Sequence, residues 1–170
     1  IAREAGGPEV LELQDFDLPA PAEGQVLIAN KAIGLNFIDT YHRSGLYPRS
    51  YPSGLGSEGA GIVEAVGEGV AGISVGDRVV YLGDNSYATH STAPAATTFK
   101  LPDHIDFETG AALLLKGITT WMLVECIRPV QPGMTVLVQA AAGGVGQLVV
   151  RWAKALGGVV IAHAGTPEKA

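Results

Sequence analysis

The sequence has one cysteine, Cys126, among 170 residues. That excludes an internal disulfide and a zinc site built from several thiolates. Charge is also scarce: Asp, Glu, Lys and Arg together make up 16% of the chain, against 47% apolar residues. A disordered tail shows the opposite balance, so the chain must bury a core. Basic residues are in deficit, 11 against 17 acidic, for a net charge of −6. A dedicated nucleic-acid binder carries a basic patch, and no basic and aromatic cluster suggests RNA binding here. The longest apolar runs are short and broken by Gly, Lys or Gln, so no membrane-spanning segment is predicted. The 23 glycines follow no three-residue period, which excludes a collagen-like chain.

What is present falls into two styles. Up to Pro102 the chain is β-rich. Val26-Leu27-Ile28-Ala29, Ile62-Val63-Glu64-Ala65-Val66 and Arg78-Val79-Val80-Tyr81-Leu82 are short β-branched runs set off by glycines. Such runs predict a compact, partly closed barrel. After Pro102 the pattern turns helical. Asp103 or Asp106 can cap a helix through Ala111 to Leu115, and a second helix is expected around Thr119 to Ile127. Arg128-Pro129 and Gln131-Pro132-Gly133 then form a loop.

Met134 to Val138 reads as a buried strand, followed by Ala140-Ala141-Ala142-Gly143-Gly144-Val145-Gly146. Val145, Leu148, Val149, Trp152, Ala153 and Leu156 recur at helical spacing and make one apolar face. Gly157-Gly158 ends that helix, and Val159 to Ala162 reads as a second buried strand. Strand, glycine turn, helix and strand make one βαβ unit.

A glycine turn between strand and helix is a pyrophosphate site. Missing side chains let phosphate approach the backbone, and the helix start offers N–H donors and a positive dipole end. Gly143, Gly144, Val145 and Gly146 occupy that junction, and the flanking elements give the motif its required context. Enzymes using NAD place a carboxylate at the end of the second strand, about 20 residues past the glycines. Here that strand runs into His163-Ala164-Gly165-Thr166-Pro167-Glu168-Lys169. Thr166 and Lys169 can hold a 2′-phosphate by hydroxyl and by charge, which favours NADPH. Glu168 argues the other way by position, but also fits as an N-terminal helix residue favoured by the dipole.

Several segments together carry a family resemblance. They are Gly6-Gly7-Pro8-Glu9-Val10-Leu11, Lys31-Ala32-Ile33-Gly34-Leu35-Asn36-Phe37-Ile38-Asp39-Thr40-Tyr41, Ser44-Gly45-Leu46-Tyr47-Pro48, Gly56-Ser57-Glu58-Gly59-Ala60-Gly61, Gly76-Asp77-Arg78-Val79 and Gly133 through Gly146. The chain resembles, over essentially its whole length, the zinc-free quinone oxidoreductase (zeta-crystallin-like) branch of the medium-chain dehydrogenase/reductase superfamily. Ala141 stands where the wider superfamily has the first glycine of its motif, a form usual in this branch.

The resemblance implies a GroES-like catalytic domain over residues 1–118. Residues 119–170 would be the first βαβ of a Rossmann domain, with NADPH in the cleft between the two. It implies hydride transfer from NADPH to a quinone in a cytoplasmic homodimer. It also implies no metal: Asn36, Ser57 and the neighbourhood of Leu115 stand where zinc relatives have Cys, His and Cys, and an amide, a hydroxyl and an apolar chain are not a zinc set. Asn36 and Tyr41 are expected near the nicotinamide as donors to a developing oxyanion, with Tyr41 able to relay a proton. Asp39 fits equally as a catalytic group and as an acceptor holding its loop. Thr119 matches a cofactor-contacting position, or else bonds its own helix backbone. Lys116 reads as a solvated helix residue, Glu58 as an interior hydrogen-bonding group, and Tyr47 and Tyr51 as pocket walls or packing.

Two other readings stay open: an enone or enoyl-thioester reductase on the same scaffold, and a non-enzymatic crystallin-like or RNA-binding role. Family members run to about twice this length, in keeping with two domains. The start at Ile1 and the end at Ala170 therefore suggest a fragment, expected to bind NADPH poorly by itself and to aggregate through an open sheet edge.

Overall fold

The computed structural model describes residues 1–169. The chain divides into two compact units, one comprising Ile1–Leu114 and the other beginning at Leu115.

The first unit is built on a five-stranded antiparallel sheet. Its strands are β1 (Gln25–Ile33), β2 (Glu58–Val66), β3 (Arg78–Leu82), β4 (His90–Pro94) and β5 (Thr98–Lys100), in the order β4-β1-β2-β3-β5. β1 slips register against β2 between Leu27 and Ile28 and again between Asn30 and Ala32. Such bulges bend a strand and curl its sheet. Alternate residues serve opposite faces. Val26, Ile28, Val63, Val79, Tyr81 and Ala93 form one core. Ala60, Val80, Leu101 and Ala111 form another, and Ile105, Phe107 and Leu114 pack onto it.

β1 and β2 are longer than their β-branched runs predict. β2 begins Glu58-Gly59-Ala60-Gly61, a poor strand sequence by propensity. The close approach of β1 explains it, because a side chain at Gly61 would run into the backbone of Ala29. β4 and β5, with few β-branched residues, had no signal of their own.

The segment after β1, expected as a loop, is a helix, α1 (Phe37–Ser44). Asn36 is its N-cap and Asp39 sits at the third helical position, forming a capping box. Gly45 ends the helix at φ 78°, the left-handed region glycine favours.

The two helices expected after Pro102 are one. α2 (Phe107–Trp121) runs into a π-helical turn, Met122–Ile127, with Trp121 still helical. Asp106 caps its start, accepting from Thr109 N–H at 2.6 Å. Gly117 does not break it. By length and composition Phe107–Ile127 is apolar enough to cross a membrane, where the sequence reading found only short, broken runs. The interrupting Lys116 and Gly117 interrupt the apolar run without interrupting the helix. Ala111, Thr120 and Val124 are buried, whereas Leu113, Trp121, Leu123 and Ile127 are exposed.

In the second unit the parallel strands β6 (Thr135–Val138) and β7 (Val159–Ala162) flank α3 (Gly144–Ala155) in sequence. Val149 of α3 joins Val124 and Val138 in a core, with Val145, Trp152 and Leu156 packed around it. The βαβ unit and its apolar helix face fall where the periodicity put them, but the two strands, expected to be buried, leave Leu137, Val159 and Ile161 exposed. Trp152 Nε1–H donates to Glu125 Oε1 at 3.1 Å, tying α3 to the π turn.

Candidate active site and cofactor-binding turn

In the first unit the entry of α1 gathers the predicted residues. The Asp39 carboxylate is 3% exposed and accepts three hydrogen bonds. They come from the Asn36 backbone N–H at 2.9 Å, the Ser57 hydroxyl at 2.8 Å and the Tyr87 hydroxyl at 2.9 Å. Burial pushes the Tyr87 phenol far above its ordinary range, and the hydrogen bond to Asp39 and that carboxylate's charge add to the effect; Arg43 opposes it. Asp39 thus accepts from three donors and holds the start of the helix.

Asn36 is engaged as well. Its side-chain Nδ2 donates to Glu58 Oε1 at 2.7 Å, and its side chain completes the capping box. Glu58 is fully buried, in the interior hydrogen-bonding role expected of it. Ser57 spends its hydroxyl on Asp39. Tyr41 differs from its neighbours: its hydroxyl makes no hydrogen bond among the described residues. Its ring lies between Phe37 (centroids 6.2 Å apart) and Tyr47 (5.3 Å), and Tyr47 also meets His42 edge-on. Phe37 and Tyr47 are largely exposed. The Tyr51 hydroxyl donates to the His42 carbonyl at 2.6 Å and pins the end of α1.

In the second unit the glycine turn starts α3. Gly143 is the N-cap, and its N–H bonds the Ala140 carbonyl at 2.8 Å. The N–H groups of Gly144, Val145 and Gly146 follow at the helix start, where no intrahelical acceptor exists. A Cβ on Gly146 would collide with the Ala140 carbonyl oxygen. A Cβ on Gly144 would stand 3.1 Å from Cδ and Cε of Lys116. The Lys116 stem therefore lies along the turn, which its reading as a solvated helix residue missed. Thr119 donates to the Leu115 carbonyl at 2.8 Å, the backbone bond of a helix-interior threonine.

Past β7, the neighbouring Thr166 hydroxyl holds the Glu168 carboxyl below its usual range. Lys169 lines a cleft of about 410 Å³ with Ala141, Ala162 and Ala164. Among the described residues no group of three or more His, Cys, Asp or Glu is placed to hold a metal ion.

Residues 22–103 match the alcohol dehydrogenase GroES-like domain model. The chain is 51% identical to a quinone oxidoreductase of Pseudomonas aeruginosa over 97% of its length, covering 52% of that protein. It is 49% identical to quinone oxidoreductase 1 of Escherichia coli, again over 97% of the chain and 51% of the relative. The crystal structure of Escherichia coli quinone oxidoreductase complexed with NADPH superposes with a TM-score of 0.96 at 48% identity. That match covers 99% of this chain and 53% of the other. The chain thus spans about half the length of the curated relatives it matches.

Proposed function

The chain belongs to the quinone oxidoreductase branch of the medium-chain dehydrogenase/reductase superfamily, and from that premise we propose that the protein transfers a hydride from NADPH to a quinone without zinc. The glycine turn carries the reading. Neither Gly144, against the Lys116 stem, nor Gly146, against the Ala140 carbonyl, has room for a side chain, and the turn lies at a helix start between two parallel strands. That fits a dinucleotide pyrophosphate.

NADPH, when bound, supplies the hydride. The chain's own residues do the rest. The N–H groups of Gly144, Val145 and Gly146 take the pyrophosphate, with the Lys116 ammonium as a nearby positive charge. Thr119 stands one helical turn beyond Lys116 on the same cofactor side in our assignment. Lys169 takes the adenosine 2′-phosphate. Asn36 and Asp39 fix the entry of α1 and so position Tyr41, whose hydroxyl gives its proton to the quinone oxygen. A quinone gains aromaticity on reduction, so its developing oxyanion needs little polarisation. The amide of Asn36 and the hydroxyl of Ser57 are committed to Glu58 and Asp39 and are not a zinc-ligand set. The single cysteine and acidic balance support placement in the cytoplasm, and the family resemblance supports a homodimer at full length.

The test is a substrate panel on the full-length protein, before and after treatment with a strong chelator. NADPH oxidation should be fastest with a quinone and unchanged by chelation. Preference for an enoyl thioester would reassign the substrate, and metal-dependent activity would overturn the zinc-free mechanism.

A further inference from the structure

We propose that Arg151 is a second cation at the adenosine 2′-phosphate and the main source of preference for NADPH over NADH; this rests on the dinucleotide reading above. The cleft past the ends of β6 and β7 is walled by Ala141, Ala162 and Ala164, with Gln147 and Arg151 from α3 and Lys169 from the turn Pro167–Lys169 after β7. Three features single it out. Its small walls leave room for a bulky group. Its lining contains two permanent cations and no carboxylate, in a chain whose net charge is −6. Neither Arg151 nor Lys169 spends its charge on an ion pair among the described residues.

The chemistry separates the two nicotinamide cofactors. A ribose 2′-hydroxyl seeks a carboxylate acceptor at this place, and a 2′-phosphate seeks cations. Arg151 offers a planar fork of donors that matches two phosphate oxygens, whereas Lys169 offers a point charge. Arg151 lies on the solvent side of α3, opposite the buried Val149 and Ala153, so its charge is displayed at no cost to the core.

The test compares Arg151→Gln, Lys169→Gln and the unaltered full-length protein for binding of NADPH, NADH and 2′,5′-ADP by titration calorimetry. A charge-assisted phosphate contact corresponds to about a ten- to hundredfold change in affinity. Arg151→Gln should therefore weaken NADPH and 2′,5′-ADP by that factor and leave NADH unchanged, with a larger loss than Lys169→Gln. Equal binding of NADPH by Arg151→Gln and the unaltered protein would overturn the role of Arg151 alone. If the unaltered protein binds NADPH no better than NADH, the cofactor reading falls and the inference falls with it. A parallel loss of NADH affinity in Arg151→Gln would mark a general disturbance of α3 and also refute it. Circular dichroism of each variant verifies the fold.

Discussion

Replacing Asp39 by Asn separates the two roles that its sequence position left open. The carboxylate accepts from Asn36 N–H, Ser57 Oγ–H and Tyr87 O–H, all within 2.9 Å, in a site closed to water. An amide oxygen in the place of Oδ2 keeps two of these, and the new NH₂ faces the Ser57 hydroxyl, which can turn to accept from it. Three bonds to a charged acceptor then become neutral ones. A bond to a charged group is worth roughly 1.5–3 kcal/mol against about 1 kcal/mol for a neutral one, so the cost over three bonds is about 3 kcal/mol. That is a large part of a domain's stability of about 5–15 kcal/mol. Urea unfolding of the full-length protein at neutral pH, followed by tryptophan fluorescence, measures it. Tyr87→Phe removes one donor and leaves the carboxylate two, so it should cost about 1 kcal/mol. The double variant should cost less than the sum, because both changes act on one network. Undiminished stability of Asp39→Asn together with abolished turnover would refute the reasoning and make Asp39 a group that acts on substrate.

Tyr41→Phe should lower kcat/KM for a quinone with little change in stability, since the hydroxyl it removes has no partner among the described residues; steady-state kinetics and thermal melting check this. Gly146→Ala should raise the KM for NADPH and destabilise the second unit by about 1–3 kcal/mol, because the added methyl meets the Ala140 carbonyl; an unaltered KM would contradict the cradle. Stability should fall in alkali. Tyr87 and the buried Tyr81 both titrate above their unfolded value of about 10. Their contribution is therefore whole below that pH and is lost as pH rises toward the folded values. Tyr87→Phe should flatten this decline in a series of denaturation curves.

The βαβ unit was legible because three signals agreed: a β-branched strand, a glycine turn and an apolar stripe at helical spacing. α1 was missed because its eight residues are too short for a stripe to show. Its true signal was the capping pair Asn36 and Asp39 with Gly45 at the end. β2 was half read because its first residues are glycine and alanine, chosen by the closeness of β1 and not by propensity. The candidate site was legible as a set of residues and not as a set of roles. Asn36 and Asp39 looked like free donors and acceptors until their partners Glu58, Ser57 and Tyr87 came into reach across the fold. Lys116 and Arg151 were invisible for the opposite reason: a cation on a helix looks solvated in sequence, and only the turn or cleft beside it shows what it faces.

The central claim is the passage of a hydride from NADPH to a quinone, and anaerobic mixing tests it most directly. The full-length protein with one equivalent of NADPH should keep the near-ultraviolet absorbance of the reduced nicotinamide until a quinone is added. The absorbance should then be lost with one hydroquinone formed per NADPH consumed. Persistence of the absorbance after quinone addition, or its equal loss with NADH, would contradict the account.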